Sequence, residues 1–241
     1  MGAVSGRRVL SLPSSQSLFD VESFRGETRR RVVWRQVDRA TLVLGSTQPT
    51  ELVAGWVLRE RGVELARRRG GGGAVYLGPG DHVWMDAWIP RDDPLWDHDV
   101  SRAAEWVGAW WTAALQEVGA FGFEVHTGRS VPGELGELVC FAGRGPGEVL
   151  HSGRKVVGLS QWRSREGALF SSCAYRRWDP AALMELLDIA DEERASLVAE
   201  LGAAALGVGE LEPAAGDMQD LAHSLLASFD GWLGGGATGG S

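Results

Sequence analysis

One segment, RRRGGGGAVYLGPG at residues 67–80, constrains this chain more than any other. Gly70, Gly71, Gly72 and Gly73 remove every Cβ from a short run, so a ligand can lie against bare backbone and its N–H groups. In a chain with 34 glycines such a run could be a flexible linker. Its surroundings argue against that. Three arginines precede it, the apolar run Ala74, Val75, Tyr76, Leu77 leaves it, and Gly78, Pro79 and Gly80 turn the chain. With strands expected at residues 63–67 and 74–77, the run becomes a loop between two strands.

The remaining pattern sets the fold class. Residues 41–45 and 82–89 read as strands, and residues 49–59 as a helix capped by Thr50. Residues 99–118 are the strongest helix, with Val100, Ala103, Ala104, Val107, Trp110, Trp111, Ala114, Leu115 and Val118 at helical spacing. Its tryptophans, Trp106, Trp110 and Trp111, read as packing. Short strands are expected at 123–126 and 138–141. Residues 149–175 read as a hairpin turned at Arg165, Glu166 and Gly167, with a shorter strand entering through Ser152 and Gly153. Asp179 followed by Pro180 opens a helical tail at 181–189, 192–206 and 218–233. Strands first and helices last, with one long helix between, predict an α+β fold: a mixed β-sheet flanked by helices. A single domain over residues 14–232 is expected, with mobile termini at 1–13 and 233–241.

Charge and composition exclude several functions. A net charge of −8 and a pI near 5.2 disfavour nucleic-acid binding, which needs a basic footprint. No stretch resembles a signal peptide or a membrane span, so a cytoplasmic location away from the membrane is expected. Two cysteines, Cys140 and Cys173, and five scattered histidines offer no metal-ligand spacing. Lys155 is different: it is the only lysine among 24 basic residues, and it lies in GRKVVG between Gly153 and Gly158. Glycine weakens a strand, so this pair suggests close approach of a ligand or another chain segment. A lone lysine in an arginine-using chain suggests a task for a compact ammonium.

Together, LVLGSTQP at 42–49, RRRGGGGAVYLGPG and SGRKVVGLSQWR resemble the lipoate-protein ligases and octanoyltransferases, of the biotin/lipoate protein ligase catalytic-domain type. The resemblance spans residues 41–175. It implies an acyl chain held beside the glycine loop with its carboxyl end at Lys155. Arg68, Gly71, Gly72 and Gly73 match the family's RRxGGG element, with Ala74 and Tyr76 following as substrate or adenylate contacts. Gly158 and Gln161 match the small and polar residues after the lysine, and Gln48 matches a glutamine of the first strand-loop. Val75, Tyr76, Trp84 and Val157 are candidate linings of an apolar channel. Acyl transfer needs a fixed donor where negative charge develops, worth about 3 to 4 kcal/mol for one donor in a dry site.

The resemblance leaves the reaction open. In the ligase type, which leads, ATP and Mg²⁺ activate the acid as an acyl-adenylate. In the octanoyltransferase type no cofactor is needed, and Cys140 carries the acyl group as a thioester taken from acyl carrier protein. Either way the acceptor implied is a lysine of a lipoyl carrier domain, in a 2-oxoacid dehydrogenase or the glycine cleavage H protein. The tail after Asp179 is shorter than the accessory domain many lipoate ligases carry. A biotin-protein ligase would show a GRGRxGR-like loop, absent here. A homologue that binds a short-chain acid without catalysis is the remaining alternative.

Overall fold

The computed structural model describes residues 7–11, 21–211 and 217–232. Its strands are β1 (Arg7–Ser11), β2 (Arg31–Gln36), β3 (Thr41–Leu44), β4 (Glu64–Arg67), β5 (Val75–Leu77), β6 (His82–Pro90), β7 (Phe123–Val125), β8 (Val149–His151), β9 (Arg154–Arg163) and β10 (Gly167–Tyr175). The α-helices are α1 (Gly55–Arg61), α2 (Arg102–Glu117), α3 (Pro180–Met184), α4 (Asp191–Ala204) and α5 (Met218–Phe229). Seven strands form one sheet in the order β1-β2-β6-β10-β9-β8-β7, and β4-β3-β5 form a second. Both sheets are mixed: β1 runs parallel to β2 and β3 parallel to β4, while the other pairings are antiparallel. The expected α+β architecture is the observed one.

All nine residues of β6 are buried, as a strand covered on both faces requires. Its odd-numbered residues, Val83, Met85, Ala87 and Ile89, join a core with α2 and α5 that includes Trp106, Trp110 and Trp111. The tryptophans are packing, as their spacing predicts. The opposite face carries Trp84, Asp86 and Trp88, and the small sheet with α1, α3 and α4 packs there around Leu42, Val75, Phe141 and Leu183. Asp179 caps α3 by accepting from the Ala182 N–H, with Pro180 in the first turn.

Two expectations are corrected. Residues 49–59 are not one helix: a 3-10 turn at Thr50–Leu52 stops where Val53 bridges to Leu187, and α1 begins at Gly55. Residues 138–141 are a turn held by a single bridge between Val139 and Ala74, not a strand. Arg7–Ser11 pairs with β2; the other residues of 1–13, and 233–241, lie outside the described residues. No helix among the described residues is long and apolar enough to cross a membrane.

His82 starts β6 and is buried, with Nδ1 2.9 Å from the Gly78 carbonyl oxygen, so its neutral ring donates there. Burial lowers its pKa to about 4. The unfolded chain, with an ordinary histidine, takes up a proton that the folded chain refuses. Stability is therefore full above about pH 6.5 and falls as pH drops toward 4, by up to about 3 kcal/mol. Denaturation of the wild type and His82→Gln on either side of this window measures it. The wild type should lose more stability on acidification than the variant.

Candidate active site

The glycine loop joins β4 to β5, which flank β3, so both its ends are anchored in one small sheet. Three of the four glycines each have their own reason. Gly72 has φ +93°. A Cβ on Gly73 would stand 2.4 Å from the Val139 nitrogen, and one on Gly70 2.7 Å from Ser160 Oγ. Only Gly71 has open space around it. Gly71→Ala should therefore melt within about 1 kcal/mol of the wild type.

Arg68 is buried beneath the loop, where its Nη2 donates to the Gly71 and Gly73 carbonyls at 2.8 and 2.9 Å. Those carbonyls are turned inward, and the N–H groups of the four glycines donate to no backbone group among the described residues. Arg68 Nη1 is buried with no partner among the described residues. Burial lowers the Arg68 pKa, opposed by Cys140, Tyr175 and Cys173 nearby. Arginine stays charged regardless.

Ala74 joins the loop to the thiol segment: its N–H donates to Leu138 O and its carbonyl accepts from the Cys140 N–H at 3.1 Å. Gln48 braces the same segment from behind, accepting from Gly45 N–H and donating to the Glu137 and Leu138 carbonyls. It is buried and fully engaged in holding backbone, so it reaches the site only through the segments it ties. Gly158 leaves the room that Phe141 fills; a Cβ there would meet the ring at 2.8 Å. Phe141 then stacks on Trp178 with centroids 5.1 Å apart. Seating Phe141 fixes its neighbour Cys140, which is partly exposed and lies near Gly72, 4.0 Å from where a Cβ would stand.

A bulge aims Lys155. Val149 pairs with Val157 but Leu150 pairs with Lys155, so one step on β8 spans two on β9. Val156 is the extra residue, and Val156 and Val157 both enter the α2-side core. The bulge reverses the alternation and places Lys155 on the loop side. There its Nζ donates to the Cys140 carbonyl at 2.6 Å and pairs with Glu148 Oε2 at 2.7 Å. Glu148 also accepts from the Gly145 and Leu159 N–H groups. Burial raises the Glu148 pKa, with the Lys155 charge opposing the shift.

Gln161 does not join these residues. Its register partner is Phe170, which packs on Trp106 of α2, so its amide points to the helix side and is buried there without a partner among the described residues. Ser160 is the β9 residue facing the loop. Glu148 and Ser160 escaped sequence reading; the one available signal was a carboxylate entering an apolar strand just before the turn that leads to the lone lysine. Beside the loop's exit, Tyr76 lines a hollow of 360 Å³ with Asp81, Tyr175, Arg176, Arg177 and Trp178. Among the described residues no group of three His, Cys, Asp or Glu side chains could hold a metal.

The site thus sets Cys140 beside the loop, with its carbonyl on the buried Lys155 ammonium and the buried Arg68 guanidinium near its thiol, while the loop's N–H groups donate to no backbone group among the described residues. Such a place suits the oxyanion of an acyl-transfer step. The chain matches the family described as lipoyl protein ligase A/B catalytic domain over residues 18–230. Among solved structures it is similar to a Thermoplasma acidophilum protein with bound lipoic acid: TM-score 0.69, 17% identity, 95% of this chain and 86% of that one. It is also similar to a bipartite lipoate protein ligase, described with its E2 lipoyl domain, from the same organism, at TM-score 0.67, 18% identity and coverage of 88% and 74%. A third similarity is to lipoate-protein ligase A bound with ATP, at TM-score 0.61, 19% identity and coverage of 88% and 75%. The comparison with curated proteins found no match.

Proposed function

Because this chain belongs to the lipoyl protein ligase A/B catalytic-domain family, and is therefore an enzyme of lipoyl attachment, we propose that it transfers an octanoyl-type acyl group through Cys140 to a carrier-domain lysine. The observation that carries this reading is the contact of Lys155 Nζ with the carbonyl of Cys140 itself, 2.6 Å away. The cation that the family resemblance assigns to the acyl carbonyl is bonded to the residue that bears the thiol. Cys140 Sγ attacks the thioester of an acyl carrier protein; the new C–S bond forms as the old one breaks, and the donor leaves as its thiol. A lysine amine of a lipoyl domain then attacks the Cys140 thioester, forming the amide and returning the thiol. Lys155, the Arg68 Nη1 and the loop N–H groups support the oxyanion of each step.

A second reading, ATP-dependent ligation through an acyl-adenylate, is favoured by the hollow beside Tyr76. Arg176 and Arg177 bring positive charge there, and Tyr76 and Trp178 offer rings for a base. Asp81 and Asp179 line the same hollow, so it offers a nucleotide two cations and rings but no net positive charge. Magnesium would arrive on the nucleotide's phosphates, since the described residues build no cage for it. When bound, ATP would supply the leaving group that activates a free acid.

Transfer assays separate the two. The thioester reading expects a lipoyl domain to gain the octanoyl mass from octanoyl carrier protein with no nucleotide present. Modification seen only with free acid plus ATP overturns it.

A further inference from the structure

Two donors near the thiol are left over once the fold is accounted for. Tyr175 ends β10 two residues after Cys173, so both side chains leave the same face of the strand and join the core under the glycine loop. The Tyr175 ring is fixed by contact, its centroid 4.9 Å from that of Phe141 and 5.2 Å from that of Trp178. The hydroxyl at its tip is different. It is buried with no hydrogen-bond partner among the described residues, on a residue 5% exposed. Arg68 Nη1 is in the same condition, on a residue 3% exposed.

The two share one electrostatic neighbourhood. Arg68 interacts with Cys140, Tyr175 and Cys173, and both thiols act on Tyr175. The loop fixes the same place, since a Cβ on Gly72 would stand 3.1 Å from Arg68 Nη2 and 4.0 Å from Cys140 Sγ. Burial, reinforced by the thiols, pushes the Tyr175 phenol well above its ordinary range. It keeps its proton at neutral pH and cannot serve as a base. The Tyr76 backbone pulls the other way, as an N–H facing the phenol oxygen does, which still leaves the hydroxyl proton without an acceptor. A buried donor left unpaired costs free energy that an arriving acceptor removes.

The acceptor comes with the substrate. When Cys140 carries an acyl group, the carbonyl carbon is bonded to Sγ, so its oxygen lies among the thiol's own neighbours. Lys155 already spends donors on the Cys140 carbonyl and on Glu148. We infer that Tyr175 is a further catalytic residue, whose hydroxyl donates to the carbonyl oxygen of the acyl group on Cys140, beside Arg68 Nη1. The inference rests on the acyl-thioester reading of Cys140. Attack by the lysine amine turns that oxygen negative, and the hydrogen bond from the phenol strengthens as the charge develops. The C–S bond then breaks, the carbonyl reforms, and the amine's proton leaves with the sulfur. The Tyr175 ring also lines the 360 Å³ hollow, which gives it room to yield to the arriving acyl group.

Tyr175→Phe removes the oxygen and keeps the ring. Because the hydroxyl holds no partner in the free protein, the variant should melt within about 3 °C of the wild type. Transfer from acylated Cys140 to a lipoyl domain should fall about a hundredfold, in kcat and not in the KM for the domain. A second readout needs no carrier: p-nitrophenyl octanoate, labelled with carbon-13 at its carbonyl, is used to load the thiol, and the infrared band of the labelled thioester reports the donor. That band should lie at lower frequency in the wild type than in the variant. The same band in both proteins, equal transfer by both, a variant melting far below the wild type, or no adduct on Cys140 would each overturn the inference. Should the bands differ while octanoyl carrier protein loads neither protein, Tyr175 stands as a donor to the acyl carbonyl and the carrier-transfer reading fails.

Discussion

Lys155→Ala should lower acyl transfer by at least about a hundredfold, the effect of removing one donor at a developing oxyanion. It should also cost stability. Lys155 and Glu148 are 2% and 3% exposed, and removing one partner leaves an uncompensated buried carboxylate, at about 3 to 5 kcal/mol. The two effects can be separated. Lys155→Met with Glu148→Gln removes both charges and keeps the volume, so thermal unfolding should return most of the way to the wild type. Transfer should not return. Recovery of activity in the double variant would show that the pair only holds the fold.

Gly73→Ala is the second large effect. Its Cβ would lie 2.4 to 2.6 Å from three backbone atoms of Val139, and backbone cannot rotate away as a side chain can. The loop must shift, moving the N–H groups and the Ala74 link that positions Cys140. Transfer should fall by about a hundredfold, since misplacement of about 1 Å can cost that much. Overpacking adds about 1 to 3 kcal/mol of destabilisation. Gly71→Ala, made beside it, should keep near-normal activity and melting. Equal losses in both would mean that the loop needs glycine for flexibility and not for contact.

The contrast between these glycines marks where sequence reading stops. A run of four identical letters between two strands is legible as a loop, because the strands and the turn on either side have their own patterns. Which glycine touches Val139 depends on a segment more than sixty residues away in the chain, and no local pattern encodes it. β6 and α2 were legible for the same reason as the loop: a largely apolar stretch and a helical period declare themselves. β2 was not. Nothing in RVVWRQ marks which way Arg35 faces, yet it turns inward to Asp86 across the sheet.

Register explains the rest. Lys155 could be picked out as the only lysine, but its aim depends on the bulge at Val156, which pairing with β8 creates. Gln161 looked like a site residue from its place in the motif. Side chains alternate along a strand, and its pairing with Phe170 sends it to the helix face, leaving Ser160 beside the loop. Glu148 became visible only when the hairpin brought it to Lys155.

The intact mass of this protein, taken after incubation with octanoyl carrier protein and no nucleotide, tests the central claim most directly. The account predicts a wild type heavier by one octanoyl group, an adduct released by hydroxylamine, and no adduct on Cys140→Ala. A Cys140→Ala protein that still acylates a lipoyl domain as fast as the wild type, given free acid and ATP, would contradict it.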